Sequence, residues 1–202
     1  MRKTKVKFCG LKRIEDIKAA NELRPDFAGF VFWEKSSRNV SREDALRLGK
    51  ALLPEIKKVG VFVDEAPEKV AALLTDKVID IAQLHGSEDE EYIGKLRTLA
   101  ERACVIKAFV IKSPEDLETA KKSSADYHLL ESGKGTGQTF NWELIKKAGF
   151  DRPYFLAGGL GAENVSGAIK ELSPYAVDVS SGIETNGVKD PDKMRQFMGE
   201  IL

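Results

Sequence analysis

PYFLAGGL at residues 153–160 and YAVDVSSGIE at 175–184 are apolar runs that each stop at a small, glycine-bearing turn. The first closes on Ala157-Gly158-Gly159 and the second on Ser180-Ser181-Gly182, and the residues after each turn read as helix. Backbone N–H groups at such turns and at helix N-termini form ready anion sites, with phosphate the usual occupant. Two of them, ending the last two strands of an alternating β/α chain, predict a phosphate clamp at one mouth of a (β/α)8 barrel. Its members are Gly158, Gly159, Ser181 and Gly182.

Outward from that clamp the alternation continues to the start of the chain. Strand-like runs fall near 5–9, 27–32, 57–63, 79–83, 103–109, 127–131, 153–157 and 176–179. Helix-like stretches separate them near 14–22, 42–53, 67–75, 89–100, 114–121, 142–148, 162–172 and 191–201. Ser113-Pro114-Glu115-Asp116 sets a capping serine before a proline at the first helical position, and Ala66-Pro67 offers another such proline. Ser41-Arg42-Glu43-Asp44 and Ser87-Glu88-Asp89-Glu90 resemble capping boxes. Strict alternation calls for a parallel sheet, and closing it at eight strands gives the barrel. The competing architecture, an open doubly wound sheet, usually needs fewer strands for this length.

Bulk properties narrow the function. The 202 residues are expected to form one α/β domain spanning 1–202, with 42% hydrophobic and 32% charged residues fitting a soluble globular chain. Lys+Arg and Asp+Glu balance at 32 each, so no global field recruits nucleic acid or an anionic membrane. MRKTKVKFCG has no long apolar core of the kind that marks a signal peptide, and no run approaches the ~20 apolar residues of a membrane span. Cys9 and Cys104 are the only cysteines and are expected to be reduced thiols in the cytoplasm, not a disulfide framework.

In such a barrel, reactive groups belong at the C-terminal ends of strands. Alternation puts Lys5, Lys7 and Cys9 on one face of the first strand, with Val6 and Phe8 on the other. The apolar pair should face the helices, which turns Lys7 and Cys9 inward. A thiol at a strand end is otherwise a small buried hydrophobe. The same alternation points Asp178 inward between Val177 and Val179, on a strand that neighbours the first in a closed barrel. Lys7 and Asp178 are thus expected to pair, and the ammonium to favour a Cys9 thiolate.

Seven segments then carry a resemblance. KFCGL, GFVFWEKSSR, VGVFV, QLHG, GTGQTFNW, AGGLGAENV and VDVSSGIE, in order from about residue 5 to 184, resemble the phosphoribosylanthranilate isomerase family of tryptophan biosynthesis. The resemblance implies a (β/α)8 barrel and a cofactor-free Amadori rearrangement. In it, N-(5-phosphoribosyl)anthranilate becomes 1-(2-carboxyphenylamino)-1-deoxyribulose 5-phosphate. An acid protonates the furanose ring oxygen, the ring opens to a Schiff base, and a base removes the C2 proton.

By that resemblance Cys9 matches the general base, with a thiol expected below its free value of ~8.5. The acid position departs from the family, which usually carries aspartate in a pattern like LLDSG. Here the run is Leu129-Leu130-Glu131-Ser132-Gly133, so the Glu131 head lies one methylene farther from the backbone. Glu131 is then the acid with adjusted packing, or activity is reduced, or the substrate has changed. Arg38 matches the arginine that contacts the anthranilate carboxylate, a planar partner suited to a guanidinium fork; without the family match it is a surface residue of a basic loop. Gln83, His85 and Asp178 are expected to line the substrate site, although a histidine in a βα turn is often structural. His128, inside the sixth strand, is read as structural, and Asp126 lies at the wrong end of that strand for catalysis. The glycine-rich 132–139 matches neither a Walker A nor a dinucleotide fingerprint and reads as a loop closing over substrate.

No histidine pair or carboxylate cluster has metal-ligand spacing, so neither metal nor cofactor is expected. The expected partner is the small phosphosugar–anthranilate substrate, on a monomer or homodimer. Two other readings stay open: another phosphosugar barrel enzyme, such as an epimerase or indole-glycerol-phosphate synthase, and a catalytically silent phosphate-binding barrel.

Overall fold

Parallel strands buried on both faces leave two unpaired edges unless the sheet meets itself. This chain closes the sheet. A computed structural model describes residues 3–131, 142–150 and 152–201. Its strands are Lys5–Cys9 (β1), Phe27–Val31 (β2), Lys57–Phe62 (β3), Ile81–Leu84 (β4), Val105–Val110 (β5), Tyr127–Glu131 (β6), Tyr154–Ala157 (β7) and Ala176–Val179 (β8). They follow one another around a closed barrel, with β1 hydrogen-bonded in parallel to both β2 and β8. Between and after them run the helices Ile14–Leu23 (α1), Arg42–Ala51 (α2), Pro67–Thr75 (α3), Glu90–Leu99 (α4), Pro114–Lys122 (α5), Trp142–Ala148 (α6), Val165–Leu172 (α7) and Pro191–Gly199 (α8). The open-sheet alternative is thereby excluded.

One expectation about the last turn needs correction. The residues after β8 do not pass straight into a helix. A single 3-10 turn, Ser181–Ile183, comes first, followed by a two-stranded hairpin of Glu184–Thr185 (β9) and Val188–Lys189 (β10). Its tip is Asn186-Gly187, both at positive φ (53° and 75°), the conformation that a two-residue hairpin turn demands.

Helix starts follow the chemistry of their first residues. The Ser41 hydroxyl accepts from the Asp44 N–H at 3.0 Å, and Ser113 with Asp116 forms a reciprocal capping box. Pro67 and Pro114 occupy first-turn positions where the missing N–H costs nothing. Ser87, expected to cap α4, does not. Its N–H and hydroxyl are both given to Asp64 Oδ1, at 2.6 and 2.7 Å. Asp89 caps instead, accepting from the Tyr92 N–H at 2.9 Å.

Two apolar cores result from the period-two alternation of each strand. Outward residues such as Phe8, Phe30, Phe62, Leu84, Leu130 and Val177 pack against the helices. Inward residues, including Phe27, Val59, Ile81, Ile106, Leu129 and Phe155, fill the N-terminal part of the barrel. There Phe27 and Phe155 meet at 5.1 Å between ring centroids, and Tyr127 stacks on Tyr175 at the same separation. Each such side chain contributes about 1.5–3 kcal/mol by leaving water. The N-terminal rim is stitched by a repeated device. Asp26, Asp80 and Asp126 each accept the N–H of a residue near the start of the preceding strand: Val6, Lys58 and Val105, at 2.9, 2.8 and 2.8 Å. Asp126 lies on the rim away from Glu131, as its sequence reading places it, and is a structural tie there where a solvated turn residue was expected. No helix among the described residues is long and apolar enough to cross a membrane.

Candidate active site

Above the apolar fill the barrel interior turns polar. Lys7, one residue pair below the C-terminal end of β1, is fully buried, and its Nζ donates to Asp178 Oδ1 at 3.0 Å. The register makes this contact inevitable, because Lys7 and Asp178 are directly paired across the β1–β8 seam. The Lys7 ammonium and the Cys9 sulfur both lie against Gly29 of β2. Burial alone would lower the lysine, but Asp178 and Cys9 beside it more than reverse that and hold its pKa above the ordinary value.

The thiol behaves otherwise than expected. Burial is the largest influence on Cys9 and pushes its pKa up. Lys7 and Lys189 pull it down, and Asp178 adds to the rise. The pairing read from alternation is present, but the expected lowering is not. Two ammoniums near one sulfur do not offset its removal from water together with the Asp178 charge.

Arg38, in the loop after β2, is anchored by a residue that the sequence reading did not single out. Its Nε and Nη2 donate to the two oxygens of Glu184 at 2.7 and 2.6 Å, a fork-on-fork pair. Glu184 also accepts from the buried Lys189 Nζ at 2.6 Å, and Lys189 reaches the Ser180 carbonyl at 2.9 Å. The Ser180 hydroxyl in turn donates to the Cys9 carbonyl at 3.2 Å. Burial would raise Glu184, but the hydrogen bonds from Arg38 and Lys189 win and hold it below the usual carboxylate range. Glu184 and Lys189 face each other in the hairpin register. The Asn186-Gly187 turn was the legible signal for that pairing, since this dipeptide between strand-like residues marks a hairpin.

The far side of the mouth is built from β4 and β6. The inward face of β4 carries Gln83, whose Nε2 lies 3.0 Å from His85 Nδ1. His85 Nε2 lies 3.1 Å from Glu131 Oε1, at the C-terminal end of β6. Gln83, His85 and Glu131 thus form one chain of contacts, whereas the sequence reading set Gln83 and His85 as lining residues apart from the acid Glu131. His128 points away from this site. It is fully buried, stacked 5.8 Å from Phe109 and edge-on to Phe150, and burial lowers its pKa.

The two glycine turns are brought together as expected. Gly158 and Gly159, after β7, have positive φ of 91° and 66°. Asn164 ties this turn to the start of α7, accepting from the Gly161 N–H at 3.0 Å and donating to the Gly159 carbonyl at 2.9 Å. Gly182, in the turn after β8, lies against the Leu160 carbonyl, which a Cβ at position 182 would strike. Adjacent strands β7, β8 and β1 therefore present Gly158–Gly159, Ser181–Gly182 and Cys9 on one rim. The glycine-rich 132–139 lies outside the described residues. Among the described residues no group of three or more His, Cys, Asp or Glu is placed to hold a metal ion.

Known proteins match nearly the whole length of this chain. The family model for N-(5'phosphoribosyl)anthranilate (PRA) isomerase matches residues 6–200. The chain belongs to this isomerase family. Among curated relatives, the N-(5'-phosphoribosyl)anthranilate isomerase of Acetivibrio thermocellus is 46% identical, covering 98% of this chain and 95% of that protein. Its counterpart from Thermoanaerobacter sp. (strain X514) is 45% identical, covering 98% and 97%. The crystal structure of the Thermotoga maritima isomerase superposes with a TM-score of 0.90 at 39% identity, covering 98% of each chain. A further crystal structure of the family holds reduced 1-(o-carboxyphenylamino)-1-deoxyribulose 5-phosphate. It matches at a TM-score of 0.88 and 39% identity, again over 98% of each chain.

Proposed function

We propose that this chain carries out the Amadori rearrangement of N-(5-phosphoribosyl)anthranilate to 1-(2-carboxyphenylamino)-1-deoxyribulose 5-phosphate, a step of tryptophan biosynthesis. The observation that carries the reading is the shared rim: Cys9 ends β1 and Glu131 ends β6, so thiol and carboxyl border the same mouth of a closed parallel barrel. Family membership along residues 6–200 supplies the reaction class.

The residues divide the work by chemistry. Gly158, Gly159, Ser181 and Gly182 receive the 5-phosphate on backbone N–H groups. Arg38, already aligned by Glu184, turns its remaining guanidinium edge to the anthranilate carboxylate. Gln83, His85 and Asp178 border the pentose. Glu131 gives its proton to the furanose oxygen, the C1–O bond breaks, and the nitrogen lone pair forms the Schiff base. Cys9 as thiolate then takes the C2 proton. The C2–H electron pair becomes the C1–C2 double bond of an enolamine, which tautomerises to the ketone. Each correctly placed acid or base is worth roughly two to four orders of magnitude. Lys7 is the main counter-charge for the thiolate while it exists. The chemistry is acid–base throughout and calls on these side chains alone. The two thiols are free, which supports the cytoplasm as the place of reaction.

The test follows the fluorescence decay of phosphoribosylanthranilate on adding protein. Wild type should consume it, and Cys9→Ala and Glu131→Gln should each lose at least about 100-fold in kcat. Turnover that survives both substitutions rules out this assignment of base and acid.

A further inference from the structure

Lys189, at the end of the β9–β10 hairpin, is a buried ammonium that the rearrangement itself does not call on. Its Nζ donates to two residues: to Glu184 Oε1 at 2.6 Å, and to the carbonyl and hydroxyl of Ser180 at 2.9 and 3.3 Å. Each of those leads on to a group assigned to the substrate. The two oxygens of Glu184 receive Nε and Nη2 of Arg38 at 2.7 and 2.6 Å. The Ser180 hydroxyl donates to the Cys9 carbonyl at 3.2 Å. The two branches also meet directly. The Arg38 stem lies against Gly10, the residue after Cys9, where a Cβ would strike Arg38 Cδ. Arg13 fixes the hub from behind, its Nη2 donating to the Lys189 carbonyl at 2.8 Å. Stability gives little reason for a charge here, because a buried ion pair is often matched by apolar groups of the same volume.

We infer that Lys189 is a positioning residue that ties the carboxylate-binding Arg38 to the strand end bearing Cys9, and that its charge answers the thiolate when it forms. The charges that face the thiol come from four elements: Lys7 on β1, Asp178 on β8, Lys189 on β10 and Arg38 in the loop after β2. Lys7 and Asp178 cancel, paired at 3.0 Å. Arg38, Glu184 and Lys189 do not. Two cations share one carboxylate, so one positive charge is left over beside Cys9. Removing Lys189 abolishes that surplus, and removing the Glu184 charge doubles it. The pull of Lys189 on the thiol is accordingly downward. The inference rests on Cys9 and Arg38 having the roles proposed above.

The experiment combines an ultraviolet titration of the Cys9 thiolate, in a Cys104→Ser background, with kcat and KM for phosphoribosylanthranilate. The variants are Lys189→Met, Glu184→Gln and the two together, each checked for folding by thermal melt. Lys189→Met leaves Glu184 held by the Arg38 fork, so no charge is stranded. Lys189→Gln keeps a donor for Glu184 without the charge, and replaces the methionine variant if that one melts early. Lys189→Met should move the thiolate midpoint up and cut kcat at neutral pH by about tenfold or more, the worth of one neighbouring charge. Glu184→Gln should move the midpoint down, because it leaves the ammonium unopposed. The double variant should return the midpoint close to wild type, since one charge of each sign is gone, while KM stays raised. A residue that serves folding alone would not give shifts of opposite sign. A midpoint that Lys189→Met leaves in place, or single variants that both shift it the same way, would overturn the inference. Failure of the underlying assignment looks different. If Cys9→Ala keeps full activity, the base has been misassigned; if Cys9→Ala is inactive while Lys189→Met has wild-type kinetics and titration, only the role of Lys189 falls.

Discussion

Cys9 sits where burial and charge oppose each other. Its thiol is pushed up by loss of water, and Lys7 supplies the largest opposing pull. An ultraviolet titration of the thiolate in a Cys104→Ser background should therefore show a midpoint above the ordinary ~8.5. Lys7→Met should move that midpoint higher still, since the pull disappears and the Asp178 charge stays. A midpoint below the ordinary value, or one that Lys7→Met leaves in place, contradicts the electrostatics described for the site. Glu184 poses the reverse case. Held low by Arg38 and Lys189, it binds fewer protons folded than unfolded. Its contribution to stability is thus complete above about pH 4.3, the unfolded value, and is lost as pH falls through the lower folded value. Glu184→Gln should be less stable than wild type at neutral pH, and the gap should narrow in acid. Freed from its carboxylate, Arg38 should also hold substrate less well, raising KM about tenfold, the worth of one charge-assisted hydrogen bond. An unchanged KM would mean that Arg38 needs no alignment by Glu184.

At the scale of elements, the turns after β7 and β8 act as one unit, because Gly182 leaves no room for a side chain against Leu160. Gly182→Ala should force the turns apart, weaken competitive inhibition by inorganic phosphate and raise KM, while leaving the Cys9 titration alone. Inhibition by phosphate equal to that of wild type would show that the clamp does not depend on this contact. The glycine turns were legible because their signal is local, a strand running into a small-residue turn, whereas the hairpin that follows the turn after β8 was not read. Caps were legible on the same terms where competition was absent, as at Ser41 and Ser113. Ser87 misled because Asp64, on another loop, claims both its donors, and nothing within four residues of Ser87 announces that. Asp89→Ala should accordingly cost about 1 kcal/mol in urea unfolding, the usual worth of a helix cap.

On the scale of the whole molecule, the barrel was readable from strict alternation, and the inward faces of β1 and β8 from their valine and phenylalanine spacing. Pairs made by closure were only half readable. Lys7 and Asp178 were found because neighbouring strands fix the register, whereas Arg38 and Glu184 join a loop to a hairpin across 146 positions of sequence. The link from His85 to Glu131 needed coordinates too, since it joins the ends of β4 and β6 across 46 positions of sequence. At the seam, Asp178→Ala should cost about 3–5 kcal/mol by leaving an ammonium buried without its partner. Lys7→Met combined with Asp178→Leu should cost markedly less than Asp178→Ala, because no charge is then stranded. Equal losses for the single and double variants would show that the seam is held by packing and not by charge.

The seam between β1 and β8 also governs the order of assembly during synthesis. Lys7 and Cys9 leave the ribosome about 170 positions before the carboxylate that answers Lys7 and the strand that carries it. Until then the first strand keeps one raw edge, and the thiol lacks the walls that set its acidity. Competence for chemistry thus waits until β8 has been made and has docked beside β1.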